Sequence, residues 1–168
     1  MLASSAVRMA LYQQAYGWTE LRFYVVSAIV WLALCLLAAA VAIASGRSRW
    51  LPHAATILAI IVALGVNVVG PQAFVATQNV ARALDPGSIP ADGSSGLDAA
   101  YLSALGDDAV PVLLSGVPSM TASDQQIVTR YLVRRRAQLE ALSSADGWPS
   151  WNLARERARS LLEAAHLP

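Results

Sequence analysis

The sequence predicts an all-α membrane protein: a two-span transmembrane helical hairpin carrying a small extramembrane helical cap. Three observations predict it. Residues 23–44 run for 22 residues without a charge. Residues 51–69 form a second apolar run of 19 residues. Overall, 56% of residues are hydrophobic, only 14% are charged and the mean hydropathy is +0.47, all to the membrane side of ordinary globular usage. At about 1.5 Å per helical residue the two runs reach roughly 33 and 28 Å, the thickness of a bilayer's hydrocarbon core. A chain of 168 residues cannot easily wrap two helices that are apolar all round, so a buried soluble pair is the weaker reading.

Residues 1–22 read as a juxtamembrane amphipathic helix. Ala6, Met9, Ala10, Leu11, Tyr12 and Tyr16 alternate with Arg8, Gln13 and Gln14 in the manner of an interfacial segment. Gly17 can end it in the left-handed conformation, Thr19 can cap the next helix, and Glu20 suits that helix's first turn. Tyr16, Trp18, Phe23 and Tyr24 then make an aromatic belt at one membrane face. Because a second run follows and the first is too long for a signal h-region, no cleavage is expected.

The hairpin occupies residues 23–69, with spans at 23–44 and 51–69. Gly46 stops the first, Pro52 suits the first turn of the second, and Arg47, Arg49 and Trp50 belong at the headgroup level between them. Ala38 and Ala42, Ala40 and Ala44, and Ala55, Ala59 and Ala63 recur at the spacing that lets helices approach closely in lipid. Asn67 continues the last series by one turn. Its amide reads as interhelical glue, with a polar transport path as the alternative.

Residues 70–84 read as a helix leaving the membrane. Residues 85–96 (DPGSIPADGSSG) form a flexible linker, rich in Pro, Gly and Ser and without an apolar period. Residues 97–168 make the helical C-terminal cap. In it Asp98 caps a short helix, Gly106 stops that helix, and Asp107 and Asp108 are expected to cap the next one rather than to hold a metal. Thr121 and Asp124 resemble a capping box opening the longest cap helix, to about Leu142. Its apolar stripe is Ile127, Val128, Tyr131, Leu132, Leu139 and Leu142, interrupted by Arg134, Arg135 and Arg136. Those arginines read as a solvated face that pairs with the acidic segment 71–120, with contact to anionic headgroups as the alternative. After a turn at 144–149, a last helix is expected from Ser150 to about Ala165, with Ala154, Ala158, Leu161, Leu162 and Ala165 inward.

Charge and motifs exclude several function classes. All twelve basic residues are arginine and none is lysine, which reads as GC-rich coding. The net charge of +1 gives no footprint for nucleic acid. Cys35 lies mid-span and can form no internal disulfide. The two histidines, His53 and His166, cannot make a metal site with it. No GxSxG, Walker, GxGxxG or HExxH pattern occurs. The expectation is therefore no catalytic residue, no cofactor and no metal. A membrane-bound enzyme would need a pocket of convergent polar groups near Arg82, Asp98 and Asn152.

Four ordered clusters carry a resemblance. Arg8-Met9-x-x-Tyr12-x-x-Ala15-Tyr16-Gly17-x-Thr19-x-x-Arg22 precedes the first span. Asn67 and Pro71-Gln72-Ala73-Phe74 through Asn79-Val80-x-Arg82 follow the second. Asp98-x-x-Tyr101-Leu102-x-x-Leu105-x-x-Asp108-Ala109-Val110-Pro111 and Trp151-Asn152-Leu153-x-Arg155-x-Arg157-Ala158-Arg159 complete the series. This order resembles the C-terminal third of the multi-spanning bacterial membrane proteins grouped only as a domain of unknown function, numbered four-one-five-three and four-one-seven-three. The resemblance implies further spans upstream in other members, so the chain is expected to be a fragment, a split subunit or a shortened paralogue.

The polar residues Tyr16, Arg22, Asn67, Asn79, Arg82 and Trp151 are the candidate structural or ligand cluster at the hairpin base. The expected function is a non-catalytic subunit or scaffold of a larger assembly in the bacterial inner membrane, its partners being the lipid bilayer and other transmembrane helices. The alternatives are a transporter component with a polar path near Asn67, and a membrane-bound enzyme. The concentrated charge of Arg47 and Arg49 favours a cytoplasmic loop and an outward cap, with Arg8, Arg22 and Arg82 on the opposite side arguing for the reverse.

Overall fold

The computed structural model describes residues 2–85, 87, 89–91, 93, 96–143 and 152–165. Parts of the linker, the turn at 144–149, Ser150, Trp151 and His166 lie outside the described residues. Of those described, 84% are helical and none is in a strand, which fixes the all-α class. In chain order the helices are α1 (Leu2–Tyr16), α2 (Glu20–Ala44), α3 (Leu51–Val69), α4 (Pro71–Leu84), α5 (Ala99–Ala104), α6 (Val110–Gly116), α7 (Ala122–Ser143) and α8 (Leu153–Ala164). Short 3₁₀ turns at Asp107–Ala109 and Val117–Ser119 flank α6.

The chain divides into two compact units. One comprises Met1–Pro71 with Pro90–Gly93, the other Gln72–Ile89 with Ser94–Pro168. In the first, α2 and α3 are long and apolar enough to cross a membrane. Almost none of their residues is buried, so neither packs as a core helix within this chain. Thr19 caps α2, its Oγ1 accepting the Arg22 N–H at 3.3 Å. At the far end Gly46 takes φ +63° and Arg47 N–H returns to the Ala42 carbonyl, closing the last turn. Pro52 sits in the first turn of α3, where its missing N–H leaves no bond unmade. Gly70 ends α3 at φ +66°, a left-handed conformation that a Cβ would strain, and Pro71 opens α4 directly.

Trp31, near the middle of α2, donates its indole N–H to the Ala55 carbonyl at 3.3 Å. Ala55 lies in the second turn of α3, so the first turns of α3 lie against the middle of α2. Ala42 is buried in this unit, as is Phe23. Within the aromatic belt this separates Phe23, turned inward and edge-on to Tyr24 at 5.9 Å between ring centres, from the exposed Tyr16 and Tyr24.

The second unit has a conventional core. Val75, Leu102, Val110, Leu113, Val128, Leu132, Leu139 and Leu162 are fully buried. Gly116 lets α6 approach α4, since a Cβ there would lie 3.2 Å from both Val80 and Met120. The stripe of α7 is narrower than its sequence predicts: Val128, Leu132 and Leu139 are buried, whereas Ile127 and Leu142 are exposed. The last helix begins at Leu153, three residues later than expected, because the Asn152 side chain takes the N–H groups of Ala154 (2.8 Å) and Arg155 (3.3 Å) and so fixes the cap. Ala158 and Leu162 are its buried contacts.

Candidate functional site

The residues expected at the hairpin base fall in both units, and the structure relates them as follows. At the corner between α1 and α2, Gly17 turns the chain at φ +74°. The Arg22 guanidinium donates to the Gly17 carbonyl and lies 5.9 Å from the centre of the Tyr12 ring. Tyr16 packs on the same Tyr12 ring at 5.6 Å between centres. Tyr16 and Arg22 are therefore joined through Tyr12, and the motif from Tyr12 to Arg22 is the chemistry of one corner: a left-handed glycine, a Thr cap and a cation held over an aromatic ring. Asn67 is exposed on α3 and turns its amide back along its own helix, donating to the Ala63 carbonyl at 2.9 Å. In the second unit, Asn79 and Arg82 are half-buried on α4. Trp151 lies outside the described residues.

A second polar group, in the cap, was not among the expected site residues. Arg135 Nε donates to Asp107 Oδ1 at 2.7 Å and Nη2 to Oδ2 at 2.8 Å, a bidentate pair whose side chains are only 24% and 13% exposed. Arg135 Nη1 also reaches Gln138 Oε1 at 3.1 Å. One turn earlier on α7, Tyr131 donates its hydroxyl to the Leu105 carbonyl at 3.2 Å. The hydrogen bond to Asp107 raises the Arg135 pKa further above its already high value, against the effect of burial. Burial likewise raises that of Tyr131, with the positive Arg135 opposing and the negative Asp107 adding. Asp107 thus does not cap α6 as expected, and neither Gly106 nor Ala109, the residues at the two cap positions, makes a side-chain bond.

The signal for this pair was present in the spacing. Positions 128, 132, 135 and 139 follow the i, i+4, i+7, i+11 pattern of one helix face, so Arg135 had to lie beside the core and find a partner. Of the arginine triplet, Arg136 instead pairs with Glu140 at 3.1 Å along the helix. The expected capping box is made in altered form. Thr121 Oγ1 accepts the Asp124 N–H at 3.3 Å, while the Asp124 carboxylate takes the Thr121 hydroxyl at 2.7 Å.

A cavity of about 130 Å³ in the cap is lined by Val80, Leu84, Leu97, Met120, Thr121 and Asp124 among others. It is smaller than the roughly 300 Å³ at which ligand pockets begin. Arg82, Asp98 and Asn152 do not line it. Asp98 is occupied as a helix cap, accepting the Tyr101 N–H at 2.8 Å, and Asn152 caps α8. Among the described residues no three His, Cys, Asp or Glu side chains are gathered as metal ligands would be.

No curated protein and no solved structure matches the chain. One family model does, over residues 1–116, from α1 to the end of α6. The matched stretch contains the corner motif, both apolar helices, α4 and the Asp98 cluster, while α7, α8 and the cluster at Trp151 lie beyond it. The chain belongs to the family described as Domain of unknown function (DUF4153).

Proposed function

We propose that the chain is a non-catalytic integral membrane protein of the bacterial inner membrane that serves as a subunit or scaffold of a larger membrane assembly. One observation carries this reading: α2 and α3 bury almost none of their residues against their own chain. Each large aliphatic side chain left in water forgoes about 1.5–3 kcal/mol of burial, and more than a dozen on the two helices are exposed. A bilayer removes that cost. It does not by itself bring helices together, because lipid tails are as apolar as leucine; close-packing small residues do. Ala42 is already used within the unit, whereas Ala63 and Asn67 are exposed on α3, one turn apart on a face suited to another transmembrane helix.

Extraction in a mild detergent tests this. The chain is expected to migrate with other helical chains or further copies of itself, and a stable lone monomer would overturn the assembly role. The rival reading, a transport component, is favoured by the exposure of Asn67. It requires Asn67→Leu to abolish flux while assembly persists, whereas the scaffold reading expects the assembly itself to weaken. The exposed Arg47 and Arg49 favour a cytoplasmic loop and an outward cap. A cysteine at Ser160, exposed on α8, should then react with an impermeant label in intact cells, and protection from it would reverse the orientation.

A further inference from the structure

The face of α7 opposite its core stripe has an unusual composition for a cap helix. At 3.6 residues per turn, the side away from Val128, Leu132 and Leu139 carries Gln126, Ile127, Arg130, Val133, Arg134 and Ala137, all exposed. Ile127 and Val133 are 40% and 39% exposed, and Arg130 and Arg134 stand one turn apart between and beside them. The two carboxylates of the helix are drawn elsewhere. Asp124 binds the Thr121 hydroxyl and Glu140 binds Arg136 on the flank. The outward face therefore combines two guanidinium groups with two β-branched side chains and carries no acid. A helix facing water alone would mix its charges and keep such apolar residues inward, whereas interleaved Arg and aliphatic residues are the pattern of a helix lying on a charged membrane surface.

We propose that this face of α7 docks on the anionic surface of the bilayer. The inference rests on the membrane reading above. The occupant is argued from charge complementarity and from tethering: the cap continues from α3 through Gly70 and α4, so a bilayer holding α3 is present at high effective concentration. A protein partner is the poorer fit. One helix face about 33 Å long and about 10 Å wide offers on the order of 300 Å², against the ~800 Å² per partner of a stable interface. Arginine suits phosphate oxygens, which its fork meets with two parallel bonds.

The test uses the full chain carrying Cys35→Ala and Ala137→Cys, with a nitroxide at position 137, in vesicles of phosphatidylcholine alone or with phosphatidylglycerol. Accessibility of the label to an aqueous nickel chelate should fall when phosphatidylglycerol is present and recover at high salt. Since each charge at the surface contributes roughly fivefold to partitioning, Arg130→Gln with Arg134→Gln should weaken docking on the order of 20-fold. Equal accessibility in both lipids overturns the proposal, as does protection that appears only with a co-purified acidic protein. Alkaline carbonate extraction of the same vesicles separates the two readings. A chain that resists extraction with an unprotected label keeps the spans and loses the docking face, and one that is extracted yet protected by added anionic vesicles does the reverse.

Discussion

Leu132 in α7 is fully buried, while Leu64 and Val68 in α3 are 61% and 88% exposed, although the two helices draw on the same aliphatic residue types. The difference lies in patterning. In α7 the aliphatic residues share a helix with Gln, Arg, Asp and Glu, and Val128, Leu132 and Leu139 fall on one face that the neighbouring cap helices bury, leaving Ile127, Val133 and Leu142 exposed. In α3 they surround the helix on every side, and Ile57, Ile60, Ile61, Leu64, Val68 and Val69 stay exposed. The same chemistry thus builds a water-excluding core in one unit and a lipid-suited exterior in the other, and substitutions should act oppositely in the two places.

The largest expected effect is in the cap. Leu132→Ala removes side-chain volume at a fully buried site and should cost about 2–5 kcal/mol, read as lost hydrogen-exchange protection of α7 amides. Leu64→Ala should leave that protection unchanged, since Leu64 is largely exposed and lies outside the cap's unit. A comparable loss at both sites would mean that α3 is covered by the cap's own cooperative unit and would end the contrast.

The reverse experiment places a charge where lipid is expected. Ile60→Arg, on the exposed side of α3, should cost about 2.5–3.5 kcal/mol of insertion and lower the fraction of chain that resists carbonate extraction, without touching the cap. If extraction behaviour does not change, α3 does not sit in hydrocarbon.

Arg135 tests whether the cap also tolerates polarity beside its core. Arg135→Ala strands the Asp107 carboxylate at 13% exposure and should cost roughly 2–3 kcal/mol of cap stability. Arg135→Met together with Asp107→Leu should recover most of it, because a well-packed apolar pair avoids desolvating two charges. A double variant as unstable as the single one would mean that the pair supplies geometry that packing cannot.

What the sequence disclosed follows the same division. The class and both long helices were legible because charge-free length is a local property that no tertiary contact can disguise. The caps at Thr19 and Asp98 were legible for the same reason, since each acts within three residues. The Arg135–Asp107 pair joins residues 28 apart in sequence, so its identity depended on how α7 meets the turn after α5. Asp107 read alone is indistinguishable from a helix cap. Of the six residues expected at the hairpin base, Tyr16 and Arg22 meet through Tyr12, which the sequence marked only as part of a motif and of the amphipathic pattern of residues 1–22. The stacking could not be inferred before the turn at Gly17 was known. Trp31 gave no signal at all, because an indole in an apolar run looks like any other large residue until a carbonyl of the neighbouring helix faces it.

The smallest effect concerns Tyr131, on the edge of the cap core. Burial raises its pKa above the ordinary 10.0, so above pH 10 the folded cap retains a phenol proton that the unfolded chain has released. The folded state then binds more protons than the unfolded one, and stability must fall as pH rises through that window. Below pH 10 the contribution is fully present. Tyr131→Phe removes both the hydrogen bond to the Leu105 carbonyl, about 0.5–1.5 kcal/mol, and the titration. The variant should therefore be less stable than the parent by a constant amount at neutral pH, and the gap should narrow as pH climbs past 10 because only the parent is losing stability there. Parallel pH profiles would show that the Tyr131 hydroxyl is as well hydrated in the folded cap as in the unfolded chain, and that this edge of the core resembles the uncovered hairpin more than the buried stripe beside it.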